Sequence, residues 1–153
     1  MTFLNPGNVI ELDGAHVAVS TQPPELHRAE CLRILAHKVI GRVIFTDAAL
    51  PAVQPVSYLL DPDNEEVIFR AAAGSKLATA ARRAVVGFQV DDINPQTHTA
   101  GNVLAVGQAY EVTDLDRLTE LGQQQAATRP PDSPVHVMAI PLHRLTGQHV
   151  YLN

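Results

Sequence analysis

Gly41-Arg42-Val43-Ile44-Phe45-Thr46 opens the stretch on which the fold turns, and Val53–Leu60 and Val67–Ala71 follow it closely. All three runs are rich in β-branched and aromatic residues, which suit the pleated, half-buried surface of a strand. Asp47–Leu50 connects the first two, and Asp61-Pro62-Asp63-Asn64 is a strong turn signal before the third. Downstream, Val85–Val90 and Val103–Val112 read as strands on either side of a polar loop, Asp91–Ala100. Val135–Leu152 carries one or two closing strands. Upstream, Val9–Leu12 and Ala15–Val19 flank Asp13-Gly14, a pair that tolerates the positive φ of a tight hairpin turn.

Helical patterns interrupt the strands at three places. Pro23-Pro24 leads into Glu25–His37, with Cys31, Ile34 and Leu35 on one face. Ser75–Arg83 forms a second helix with Leu77, Ala80 and Ala81 turned inward. Thr113-Asp114-Leu115-Asp116 opens a third, with Leu115, Leu118 and Leu121 on its inner stripe, and Gln123–Pro134 is a loop. About six strands in short succession, mostly joined by turns, differ from the βαβ alternation of a parallel sheet. The pattern predicts a mainly β protein, an antiparallel barrel with peripheral helices, because closure removes exposed sheet edges.

The chain has 153 residues, one domain's worth, and 46% of them are hydrophobic, enough for a real core. Lys plus Arg number 11 and Asp plus Glu 16, a net charge of −5. Such a chain has no general attraction for nucleic acid or anionic lipid, so any anion must be held by a local cluster. Cys31 is the one cysteine, which excludes an internal disulfide or a zinc ribbon and suits a buried structural residue. Met1–Asn8 lacks the basic start and apolar run of a signal peptide, and no stretch approaches the roughly 18 apolar residues of a membrane span. The expected compartment is the cytoplasm.

Several familiar catalytic signatures are missing. There is neither a Gly-x-Gly-x-x-Gly fingerprint nor a Gly-x-Ser-x-Gly elbow. Gly74-Ser75-Lys76 has the wrong order for a Walker A loop. His136, His143 and His149 fall in the closing strands, His143 and His149 with shared parity, and no carboxylate completes a metal-ligand spacing. They read as surface or satisfied histidines, and no metal is expected. The informative segment is Val67–Val90, which has no acidic residue but holds Arg70, Lys76, Arg82 and Arg83. Arg70 ends a strand, Gly74 permits a tight turn and Ser75-Lys76 opens a helix, an arrangement suited to an anion. It equally suits a solvated basic helix capped by Ser75, and the residues alone do not separate the two.

Glu30-Cys31-Leu32-Arg33-Ile34-Leu35-Ala36, Gly41-Arg42-Val43 and Gln54-Pro55-Val56-Ser57-Tyr58 together resemble the opening of the pyridoxamine 5′-phosphate oxidase-like proteins. Val67-Ile68-Phe69-Arg70 with Gly74-Ser75-Lys76-Leu77 is similar to that family's phosphate-binding segment. Val86–Asp91 and Val103–Gly107 continue in register, so the resemblance covers roughly residues 25–150. It implies a split β-barrel of the FMN-binding type, a homodimer with flavin mononucleotide in a groove between subunits. By position, Arg70, Ser75 and Lys76 would hold the flavin phosphate, and Pro55, Val56, Ser57 and Tyr58 would line the ring, partly through backbone groups. The implied function is an FMN-dependent oxidoreductase acting on a small molecule, with flavin supplying the redox chemistry.

The sequence also departs from the family pattern. Ala71 stands where relatives often have Thr after the strand-end Arg, and Ala100-Gly101-Asn102 replaces Gly-Trp-Ser. With no Trp at all, and no arginine-and-tryptophan motif at the C-terminal end, the chain does not read as a true pyridoxamine 5′-phosphate oxidase. Alternatives are a deazaflavin (F420) reductase using the same cations, a haem-binding split barrel using one of the three histidines, and a cofactor-free binding module. Residues 1–22 read as an N-terminal extension and 23–153 as the flavin-binding domain.

Overall fold

The computed structural model describes residues 9–12, 15–18, 24–123 and 134–153. The three decisive runs form consecutive antiparallel strands, β3 (Ile40–Asp47), β4 (Leu50–Asp61) and β5 (Glu66–Ala72). On β3 the burial alternates, with Gly41, Val43 and Phe45 inside and Arg42 and Thr46 outside. Ala48 and Ala49 make the β3–β4 turn with φ of 49° and 64°. That left-handed pair matches the twist of a hairpin, and Asp47 and Leu50, expected in the connector, are paired strand residues. Ladder pairing on both sides outweighs the modest cost of positive φ at alanine.

Four further strands and a short two-residue one complete the sheet: β6 (Val85–Asn94), β7 (Thr99–Gln108), β9 (Val135–Pro141) and β10 (Arg144–Tyr151), with β8 (Tyr110–Glu111) beside β9. The order β10-β7-β6-β3-β4-β5-β9-β8 is antiparallel throughout. Its two ends curl together until β7 touches β9, where the Pro141 carbonyl would lie 2.6 Å from a Cβ on Gly107. The result is the expected split β-barrel with three helices, α1 (Arg28–His37), α2 (Lys76–Ala81) and α3 (Leu115–Glu120). Val43, Phe69, Phe88, Val103 and Ile140 fill its interior. Glycine at 41 is required there, because any side chain would run into the Phe88 ring.

Helix α1 packs Cys31, Ile34 and Leu35 onto the barrel, as their spacing predicts. Burial, then the neighbouring Glu30, pushes the Cys31 thiol up. The helix starts later than expected, because residues 24–26 pair with β10 instead: Leu26 N–H donates to the Gly147 carbonyl, and His149 N–H to that of Pro24, both at 2.9 Å. The polar stretch 91–100 is mostly strand, turning only at 95–98. Its charges are met by neighbours, Asp91 by Gln89 on its own strand and by Asn102 and Arg42 on the adjoining ones, and Asp92 by Lys38 at the end of α1. Val103–Val112 breaks at Ala109, and His143 lies in the β9–β10 turn, so it shares no strand parity with His149. β1 (Val9–Leu12) and β2 (Ala15–Ala18) pair as a separate two-stranded sheet. Asp13-Gly14, Val19, Pro23 and residues 124–133 of the expected loop lie outside the described residues.

A second, smaller core lies outside the barrel. Ile68, on the outer face of β5, packs with Val112, Val137, Ala139 and Leu118 beneath α3. Leu115 was expected on this inner stripe but is 67% exposed, since so short a helix buries only Leu118 and part of Leu121. Asp114 caps α3 by accepting from Arg117 N–H. The Arg117 guanidinium then reaches Glu66 Oε1 at 2.6 Å, Asp61 Oδ2 at 3.1 Å and the Tyr110 hydroxyl. Burial favours the neutral acid at Asp61, but hydrogen bonds from Asn64 and Arg117 outweigh it and hold the carboxyl below its usual range. Burial likewise works against the Arg117 charge, and its bonds to Tyr110, Glu66 and Asp61 overcome that and raise its pKa.

Removing one partner of a buried charge cluster leaves the others uncompensated, which costs about 3–5 kcal/mol. Arg117→Met should therefore lose about that much stability in urea denaturation, against less than about 0.5 kcal/mol for the exposed Arg33→Ala. Equal effects would show that Arg117 is only a surface cation.

Candidate functional site

The barrel splits because β4 changes partner. Residues Leu50–Ser57 pair with β3, and Tyr58–Asp61 pair with β5. Among the described residues, the first half of β4 therefore has no strand opposite β3, and Arg70–Ala72 of β5 has none on the β4 side. Both edges keep unpaired main-chain groups. Pro51 and Pro55 suit such an edge, since they have no N–H to donate to a ladder.

At the fork lies a cavity of about 340 Å³ between Ser57–Leu59, Ile68–Arg70 and Gln123. Arg70 stands on the outer face of β5, and its Nε donates to Gln123 Oε1 at 2.5 Å. Gln123 is buried, and its own N–H is tied to the Leu118 carbonyl at the end of α3. Gly122 makes that turn at a φ of 70°. The sequence reading placed Gln123 only in a loop; the glycine after Leu121, a common helix terminator, was the available signal.

The four β4 residues divide by face. Val56 and Tyr58 point into the barrel, and Pro55 and Ser57 are exposed. The Tyr58 ring stands edge-on to Phe88 at 4.9 Å, and its hydroxyl donates to the Leu35 carbonyl at 2.6 Å. Burial pushes that phenol up to about 12. The ring is thus committed to joining α1 to the sheet, which leaves main chain and Ser57 for the groove.

Ser75 and Lys76 lie elsewhere. A second cavity, about 310 Å³, sits between the β3–β4 turn and the start of α2, where both residues line it with Asp47. Ser75 Oγ accepts from Ala78 N–H as the cap of α2, and the exposed Lys76 Nζ is 3.5 Å from Asp47 Oδ2. So Arg70 shares a cavity with Ser57 and Tyr58, and Ser75 shares one with Lys76, but the two groups line different cavities. The other two cations of the basic run diverge. Arg82 pairs with Glu111, which also meets His136 Nδ1 at 2.6 Å, and Arg83 faces a separate cleft. His143 and His149 are exposed. No helix of the described residues is long and apolar enough to cross a membrane.

With this geometry in hand, comparison with known proteins is informative. The sequence model of the pyridoxamine 5′-phosphate oxidase family matches residues 27–149. A protein of Mycobacterium tuberculosis of uncharacterised function is 38% identical over 99 residues, 61% of this chain and 64% of that relative. The chain thus spans less than two thirds of that relative's length. Among solved structures, an FAD-binding protein of Mycobacterium smegmatis superposes with a TM-score of 0.64 at 24% identity, covering 83% of this chain and 97% of that one. An FAD- and haem-binding protein of the same organism superposes with a TM-score of 0.65 at 11% identity, covering 81% and 72%.

The division of β4 between core and groove has a measurable consequence. Tyr58→Phe strands the buried Leu35 carbonyl and should cost about 1–3 kcal/mol in chemical denaturation. Ser57→Ala, at an exposed position, should stay within about 0.5 kcal/mol. The reverse order would exchange the roles given to the two residues.

Proposed function

The chain belongs to the pyridoxamine 5′-phosphate oxidase family, and we propose that it is a flavin-dependent oxidoreductase that holds FMN along the split between β4 and β5, as a homodimer. The carrying observation is the fork itself: unpaired main chain, the Ser57 side and the Arg70 cation meet in one cavity whose lining includes no carboxylate. A flavin ring needs a flat cleft and main-chain partners, for which Pro55, Val56, Ser57 and Tyr58 would serve. Its phosphate needs cations, which Arg70 and Lys76 would supply with the Ser75 region. One present contact must give way and the other can stay. Lys76 is 82% exposed, and an exposed pair such as Lys76–Asp47 is worth only about 0–1 kcal/mol, so a phosphate displaces Asp47 easily. Among the described residues Arg70 uses only Nε, on Gln123, which leaves the Nη groups of its fork for oxygen acceptors.

When bound, flavin supplies the redox chemistry, while these residues bind and orient it. Activity as a true pyridoxamine 5′-phosphate oxidase is disfavoured by Gly101, where relatives carry tryptophan. A Cβ there would already stand 2.9 Å from Ile34 of α1. FAD is the second reading, favoured by the similarity to FAD-binding proteins. Haem is less favoured, since His136 is engaged with Glu111 and neither His143 nor His149 lines the fork.

The outer face of the sheet supports the dimer. Val53, Ile44, Gly87 and Val106 stand in one cross-strand row, and Pro55, Arg42, Gln89 and Leu104 in the next. Val53 is 58% exposed and Val85 68%. An exposed face of this kind, valines and leucine beside Arg42, Gln89 and, opposite Val106, Arg144, fits an isologous contact with a second copy, the commonest oligomeric solution.

Titration of the purified protein tests the cofactor. Arg70→Ala or Lys76→Ala should weaken FMN binding roughly ten- to a hundredfold, since a hydrogen bond to a charged group contributes about 1.5–3 kcal/mol. Riboflavin, lacking phosphate, should bind the parent weakly and lose nothing more on Arg70→Ala. FAD, F420 and haem in parallel identify the preferred group, and binding of none of them would make the chain a cofactor-free module.

Light scattering should return the mass of two chains, and Val53→Lys should both split the dimer and lower flavin affinity. A monomer with full flavin affinity would remove the second copy from the site.

A further inference from the structure

The largest cleft described is not at the fork. It has a volume of about 610 Å³ and lies at the opposite run of turns, where β7 ends and β9 turns into β10. None of its lining residues lines the cavities at the split. Its floor is apolar, formed by Val106, Ala109 and Pro141, and its rim carries Arg83, His143 and Arg144. No carboxylate lines it.

The backbone fixes this rim in place. Arg83 adopts a φ of 57°, a left-handed conformation that arginine seldom takes. It is clamped there from both sides: its N–H donates to the Ala109 carbonyl at 3.1 Å, and its carbonyl accepts from Gln108 Nε2 at 3.0 Å. Ala109 N–H in turn donates to the Ala84 carbonyl at 2.9 Å. Arg144, the first residue of β10 after the Leu142-His143 turn, lines the same cleft. Arg28, Arg42, Arg82 and Arg117 each have a carboxylate partner, whereas Arg83 and Arg144 have none among the described residues. In a chain of net charge −5, two permanent cations on one cleft without a counter-charge form a local site for an anion. Guanidinium groups match carboxylate and phosphate oxygens in pairs, and the volume falls within that of small-molecule sites, about 300–1,000 Å³.

We propose that this cleft binds a small organic anion, a carboxylate or phosphate monoester on a flat apolar body, with Arg83 and Arg144 clasping the charged end. The site is independent of the flavin reading. The outer row assigned to the dimer face continues from Val106 to Arg144 on β10, so the cleft opens at the margin of that face.

The test is calorimetric titration of the full chain with phenyl phosphate, benzoate, inorganic phosphate and benzyl alcohol. Phenyl phosphate or benzoate should bind with a Kd of about 1 mM or tighter, and benzyl alcohol and inorganic phosphate at least tenfold more weakly. Arg83→Gly removes the guanidinium while suiting the left-handed backbone, so the fold is kept. It and Arg144→Met should each weaken the aromatic anions about tenfold, and the charge-matched surface change Arg33→Ala should not. No binding, binding untouched by either cleft variant, or loss on Arg70→Ala in place of Arg83→Gly would overturn the proposal. Inorganic phosphate binding as tightly as phenyl phosphate would overturn its apolar half.

Discussion

The buried meeting of Arg117 with Asp61, Glu66 and Tyr110 is the constraint on which the outer half of the molecule depends. Asp61 ends β4, Glu66 begins β5, Tyr110 begins β8, and Arg117 is in the middle of α3. One guanidinium therefore ties three strands and a helix at the point where the chain would otherwise be held only by a small apolar cluster. The cluster carries two carboxylates against one guanidinium, with the Tyr110 hydroxyl donating to Glu66. Burial opposes the charges of Asp61 and Arg117, so the arrangement specifies one geometry more than it adds stability. That geometry reaches the fork. Where α3 ends at Gly122, Gln123 is delivered onto Arg70, and the orientation of the fork's cation follows from an ion cluster it never touches.

The split itself is a second consequence of strand pairing. A β4 paired along its whole length with both neighbours would leave no open edge; by exchanging β3 for β5 at Ser57–Tyr58 it leaves one. Prolines at 51 and 55 make that edge a poor template for further pairing while its carbonyls remain available. The same local geometry disperses the basic run. Arg70 goes to the fork, Lys76 to the β3–β4 turn, Arg82 to Glu111 and Arg83, through its left-handed backbone, to the far cleft. Four charges contiguous in composition thus serve separate surfaces.

The strands were legible because β-branched alternation is a backbone-scale signal, and α1 because Cys31, Ile34 and Leu35 recur at helical spacing. What escaped was carried by pairs distant in sequence. Asp91 and Asp92 look like loop residues until Arg42 and Asn102 are placed on the neighbouring strands and Lys38 at the end of α1. Ala48-Ala49 bears no turn signature because flanking ladders, not its own preference, impose the positive φ. Leu115 matches a helical stripe, but α3 is too short to bury it. At the site, Arg70 was recognisable as a strand-end cation; Gln123, its partner 53 residues on, was not.

The two departures from the family pattern carry different physical weight once the pleat is known. On β5, Arg70 faces out with Ile68, while Ala71 faces in with Val67 and Phe69 and is only 3% exposed. A hydroxyl at 71 would enter the barrel core, so alanine there removes a buried polar group and leaves the groove's cation in place. Gly101 is another matter. It lies under α1, where Ile34 and Leu26 already crowd the space a side chain would take. An aromatic ring there would have to turn the Ile34 and Leu26 side chains aside, on a helix held close to β10, where Cys31 Sγ lies 2.6 Å from where a Cβ on Gly147 would stand. The packing of α1 against β7 and β10 therefore fills with aliphatic side chains the space that a large ring at this position would need.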